Sequence, residues 1–118
     1  MNSVWRHFAI AASFANKGFE RRHFKISALG IRKDGAMVVS YNGSAKIRTP
    51  EIHAEYKLSR KLDYDATVFV VRLLKEGKYG LAMPCTSCLA VLKKKKVKKI
   101  YFTISDSDFG IINFGHQG

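Results

Sequence analysis

Residues 66–74, Ala-Thr-Val-Phe-Val-Val-Arg-Leu-Leu, form a nearly continuous apolar, β-branched run. A strand with one wet face alternates apolar and polar residues, and this run does not. It therefore reads as a central strand buried on both faces, which needs cover on either side. Strands are also expected over 24–33 and 36–41. Between them, Asp34-Gly35 predicts a two-residue type I′ turn, because glycine tolerates positive φ. Further on, 100–104 reads as a strand and 111–114 as a short one. A parallel crossover needs about a dozen residues or more, so the brief stretch 105–110 predicts an antiparallel hairpin.

Three helical patterns complete the elements. In the first, Ser3 is placed to cap, Val4, Phe8, Ala11 and Ala15 share a face, and Gly18 is a stop. His7 is expected on its surface. In the second, Thr49 caps, Pro50 takes the first position, and Ala54, Leu58 and Leu62 form the buried stripe. The third is expected over about 85–95, with Cys85, Leu89 and Leu92 facing inward and Cys88 beside them. Residues 76–80 read as a turn, with 81–83 leading into Pro84.

A chain of 118 residues can bury one core but not two, so 1–118 is expected to be a single domain. Its 47% hydrophobic content is that of a globular chain, not a disordered one. No apolar run is long enough for a membrane span, which takes about 18 residues. Residues 1–7 lack a basic-then-apolar leader pattern. The two cysteines sit two residues apart, a spacing that suits metal or redox use in a reducing compartment better than a disulfide framework. The expected location is cytoplasmic, with no membrane partner.

The charge is lopsided: 21 basic against 9 acidic residues, a formal net charge of +12. That favours a phosphorylated or polyanionic partner. Six lysines fall within 93–99, interrupted by Val97. The simpler reading of this run is a solvated helix end, where cations suit the carbonyl pole of the helix dipole. The alternative is an anion-binding edge able to hold the flanking phosphates of a polymer.

Chemistry concentrates in Pro84-Cys85-Thr86-Ser87-Cys88 and His53-Ala54-Glu55. If Pro84 ends an extended segment and Cys85 opens a helix, the two sulfurs lie at i and i+3 on one face. Unpaired N–H groups at that end favour thiolate. Two neighbouring thiolates invite a metal, and His53 is the matching third ligand. His53 and Glu55 fall in the first turn of the second helix, where side chains lean toward the N-terminus. Three protein ligands leave a fourth position open, the mark of a catalytic zinc. A structural zinc with a fourth ligand such as His23 is the competing reading. Glu55, two residues past a ligand, is placed to move protons to and from a water activated by the metal.

The H-x-E…P-C-x-x-C pattern of His53, Glu55, Pro84, Cys85 and Cys88 is the signature of zinc-dependent nucleobase deaminases. On these residues, with Asn42 in Tyr41-Asn42-Gly43 as a weaker match, the chain resembles the cytidine/deoxycytidylate deaminase superfamily. The likeness is to its short single-domain, phage-type members and runs from about Ile26 to Phe114. The resemblance implies an α/β fold of three layers: a five-stranded mixed sheet flanked by about three helices, with the last two strands an antiparallel hairpin. That ending resembles the cytidine deaminase branch, since the deoxycytidylate and tRNA-adenosine branches place a helix there. It also implies that Asn42 contacts the sugar or base, where the residues alone are equally consistent with an Asn-Gly turn. The Ala54 N–H and the Pro84 carbonyl are carried over as holding the base edge. One departure is the glycine that commonly follows the third helix in this superfamily. Lys95 or Lys96 stands in its place, at the cost of a helix stop.

Three functions follow. The first is a zinc deaminase of a cytosine nucleoside or nucleotide. The second is a deaminase of cytosine within single-stranded DNA or RNA, favoured by the charge, with Tyr41, Tyr56, Tyr79 or Phe109 available for stacking. The third is a non-enzymatic, zinc-stabilised nucleic-acid-binding module, against which Glu55 argues. The motif serves cytosine and adenine chemistry alike; only the hairpin ending tilts toward cytosine. Small relatives commonly assemble as homo-oligomers, whereas a +12 protomer repels its copies, so the sequence leaves the oligomeric state open.

Overall fold

The computed structural model describes residues 3–15, 24–41, 62, 65–74, 77–84 and 86–114. Its elements in chain order are α1 (Ser3–Ala15), β1 (Phe24–Ile31), β2 (Met37–Tyr41), β3 (Thr67–Leu74), β4 (Tyr79–Gly80), α2 (Thr86–Lys94), β5 (Lys99–Thr103) and β6 (Phe109–Asn113). The helix expected after Thr49 lies outside the described residues, apart from Leu62.

The strands form one mixed sheet in the order β2-β1-β3-β5-β6, with β4 paired to β3. The apolar run is its axis. Along its whole length β3 pairs antiparallel with β1, from Thr67 opposite Ile31 to Leu74 opposite Phe24. On its other side, Thr67–Val70 pair parallel with β5, and beyond them Arg72 and Leu73 pair with β4. The two sides of β3 enter two cores. Val68 and Val70 pack with Ala28, Leu92, Val97, Ile100 and Phe102 on the α2 face. Phe69 and Val71 pack with Leu29 and with Phe8, Ala11 and Ala12 of α1 on the other. A helix covers each face, as a strand buried on both sides requires.

The last two strands are antiparallel, with Lys99 opposite Asn113 and Thr103 opposite Phe109. The expectation from loop length is met. The strands are shifted by one or two residues toward the N-terminus from their expected bounds.

Two local expectations are corrected. The β1–β2 connection is not a two-residue turn. Arg32 N–H donates to the Ala36 carbonyl at 2.9 Å and Gly35 N–H to the Arg32 carbonyl at 2.8 Å, which leaves three residues in the loop. Gly35 has φ +90° and takes the left-handed position that closes a three-residue hairpin. Asp34 Oδ1 accepts from Ala36 N–H at 3.0 Å, so the aspartate serves as a side-chain turn rather than as the first residue of a type I′ pair. Residues 76–80 are more than a turn. Leu74 N–H bonds the Lys78 carbonyl at 2.8 Å, Gly77 N–H bonds the Leu74 carbonyl at 2.9 Å, and Gly77 has φ +85°. This is the same hairpin geometry, and it adds β4 as a sixth strand.

The missing glycine after α2 has a definite outcome. Lys96 itself takes φ +60°. Its N–H bonds the Lys93 carbonyl at 2.9 Å, and Val97 N–H reaches the Leu92 carbonyl at 3.2 Å. These are the two bonds of a Schellman stop, and the apolar contact that goes with it is supplied by fully buried Leu92 and Val97. The helix stops on time with a lysine where glycine is preferred.

Candidate active site

The parallel pairing of β3 and β5 fixes where α2 can begin. After β4 the chain crosses the C-terminal end of β5, where two bonds hold it and a third ties β5 to β3. Ala82 N–H donates to the Thr103 carbonyl at 2.8 Å. Thr103 Oγ1 donates to the Gly80 carbonyl at 2.8 Å and accepts from Arg72 N–H at 3.3 Å. Thr103 is wholly buried, so its hydroxyl joins β3, β4 and β5 where no water can substitute. Ala82 and Pro84 are buried while Leu81 and Met83 are exposed, so the segment alternates as an extended strand does.

Pro84 thus ends an extended segment, and α2 starts at Thr86. Cys88, its third residue, is 1% exposed. It sits in the first turn, on the side that carries Leu92 and Leu89 into the core. Backbone N–H groups without helical partners cluster at this end and favour a thiolate over a thiol. A buried thiolate is costly without a cation, and one imidazole with two thiolates is a donor set suited to zinc. Of that donor set the structure describes Cys88 alone, buried at the start of α2.

Of the residues singled out in the sequence, the structure describes Pro84 and Cys88, which flank Cys85. Asn42, His53, Ala54, Glu55 and Cys85 lie outside the described residues. Two aromatics proposed for stacking on bases are already engaged. The Tyr79 ring stacks on Trp5 at 6.2 Å between centroids, and Phe109 packs edge-on to Trp5 at 5.7 Å. Both belong to the α1-side core. Burial, with Asp106 adding to it, raises the Tyr79 phenol above its ordinary pKa. His7 is half-buried rather than on the surface, its ring stacked on Phe69 at 4.6 Å. Thr103 is the positioning residue that sequence reasoning missed; a threonine in a strand carries no signal of the bonds it will make.

Among solved structures, this fold is similar to that of cytidine deaminase from Burkholderia pseudomallei. The two share 18% identity at a TM-score of 0.65, over 90% of this chain and 88% of that one. It is also similar to cytidine deaminase from Mycobacterium leprae, with 12% identity and a TM-score of 0.57 over 91% and 92% of the two chains. The fold is thus cytidine-deaminase-like. Residues 1–104 match the family described as the cytidine and deoxycytidylate deaminase zinc-binding region, and the chain belongs to that family. A search of curated proteins finds no match. No helix among the described residues is long and apolar enough to cross a membrane.

Proposed function

We infer that the chain is a zinc-dependent hydrolytic deaminase that converts cytosine to uracil in a nucleoside or nucleotide. The observation that carries this reading is the buried Cys88 in the first turn of α2, directly after Pro84, inside the segment matched by a zinc-binding deaminase family. The β5–β6 hairpin supports the cytidine branch, and the similar solved structures are cytidine deaminases.

In this reading His53, Cys85 and Cys88 hold the zinc, which supplies the Lewis acidity that makes water a nucleophile near neutral pH. Glu55 takes a proton from the attacking water and delivers protons to the ring nitrogen and the departing amine. Water adds at the amine-bearing ring carbon, the C–N bond breaks, and ammonia leaves, so one water is consumed for each ammonia released. The Ala54 N–H and Pro84 carbonyl hold the base edge, and Asn42 contacts sugar or base.

The test is ammonia release by the zinc-loaded protein from cytidine, deoxycytidine, their monophosphates and a cytosine-containing oligodeoxynucleotide. Turnover of one or more of the four monomers is the expected result. Turnover of the oligonucleotide alone would replace the substrate by a single strand. Bound zinc without release from any of them would leave only the zinc-stabilised module.

A further inference from the structure

We propose that the end of the sheet opposite Cys88 is a binding site for the phosphodiester backbone of a nucleic-acid strand. The fold brings two stretches together there that are far apart in sequence. The β1–β2 loop carries Arg32 and Lys33. The stop of α2 and the start of β5 carry the six lysines of 93–99. They meet across the entry to β3: Asp65 N–H bonds the Lys96 carbonyl at 2.9 Å, Lys98 N–H bonds the Ala66 carbonyl at 2.8 Å, and Ile31 pairs with Thr67.

Between the two stretches lies a groove of about 460 Å³, lined by Ile31, Arg32, Lys33, Asp65, Thr67 and Lys98. Its ionisable residues are three cations and one carboxylate. Taken over the described residues of this end, Arg32, Lys33 and the six lysines face two carboxylates, Asp34 and Asp65, so half of the chain's +12 is concentrated here. Asp34 lies 3.5 Å from the Arg32 guanidinium, which tempers one cation. Lys33 and Lys98 are exposed, as are Lys93 to Lys96. The lysine run is therefore not only a solvated helix end. Through Lys98 it reaches a concavity whose other side carries Arg32 and Lys33.

A phosphodiester strand suits this site better than a membrane. Of the five large apolar side chains exposed among the described residues, only Met37 borders this end; Leu81, Met83 and Ile104 lie at the other, and Ile111 stands midway along β6 opposite Tyr101. Surface binding to lipid draws on inserted apolar area as well as charge, whereas phosphate binding needs cations alone. Cys88 and Lys94, the last residue of α2, are six positions apart, roughly 9 Å at the helical rise. A strand held at the basic end is thus separate from a base at the candidate zinc site. The site stands independently of the deaminase reading and goes beyond it.

The experiment is fluorescence anisotropy of a labelled oligothymidylate of about 20 nucleotides, which contains no cytosine and so does not report on deamination. With about four phosphates neutralised, affinity should fall roughly 50-fold between about 50 and about 200 mM salt. Lys98→Glu and Lys33→Glu should each weaken binding and reduce the log–log salt slope by about 0.7 or more. Lys78→Glu makes the same change in net charge at an exposed lysine beyond the far end of β3, and should do neither. Circular dichroism confirms that each variant folds. Three outcomes overturn the proposal: no binding by the wild-type chain at low salt, equal losses in all three variants, or binding to phosphatidylserine vesicles but not to the oligonucleotide.

Discussion

Replacing Lys96 by glycine should make the protein more stable. Lys96 holds φ +60° at the stop of α2, where a Cβ crowds the following carbonyl at a cost of about 1–2 kcal/mol. Glycine removes that strain but loosens the unfolded chain, which returns about 0.4–1 kcal/mol. The net gain is about 0.5–1 kcal/mol. A chain of 118 residues unfolds with an entropy of about 0.25 kcal/mol/K, so Tm should rise by about 2–4 °C. The substitution also removes one charge from a crowded lysine run, and Lys96→Ala separates the two effects, because alanine loses the charge and keeps the Cβ. Calorimetry on both variants gives the backbone contribution as their difference. If Lys96→Gly were no more stable than Lys96→Ala, the reasoning about a strained stop would fail.

Other expectations follow from the same geometry. Thr103→Val should cost about 1–3 kcal/mol by stranding Gly80 O and Arg72 N–H, while Thr103→Ser keeps both bonds; a Tm series checks this, and zinc retention should fall with valine only. A Cβ at Gly110 would fall on the ring of Phe102, so Gly110→Ala should cost about 1–3 kcal/mol in chemical denaturation, and Phe102→Leu in the same chain should recover part of that loss. Cys88→Ser should lower zinc content from one per chain by elemental analysis. Glu55→Ala should keep the zinc yet lose roughly 10²–10⁴ or more in turnover; zinc lost together with activity would make Glu55 structural.

What could be read from the sequence was whatever depends on pattern rather than on a single bond. The run 66–74 could only be a two-sided strand, and the shortness of 105–110 settled the direction of the last strand. The helical placement of Cys88 followed from Pro84 and the spacing of apolar residues. Turn chemistry was less legible. Asp34-Gly35 is compatible with a two-residue turn, but Ala36 N–H finds Asp34 Oδ1 and the loop gains a residue. Residues 76–80 read as a turn because β4 has only two residues and no pattern of its own. The lysine at the glycine position suggested a weakened stop, yet contact between Leu92 and Val97 outweighs the local preference of one residue. Tyr79 and Phe109 looked available to a ligand because aromatic residues do not announce which core will claim them.

The parallel pairing of β3 with β5 also bears on how the chain folds. The β1–β2, β3–β4 and β5–β6 hairpins each join neighbours in sequence and close short loops. Thr67 must instead find Lys99 across all of β4 and α2, a closure with a larger entropic cost that topology makes slow. Only after that step can Ala82 bond Thr103 and seat the start of α2. Seating the start of α2 thus depends on a pairing that is long-range, as the β1–β3 pairing of Ile31 with Thr67 also is, and not on the local hairpins.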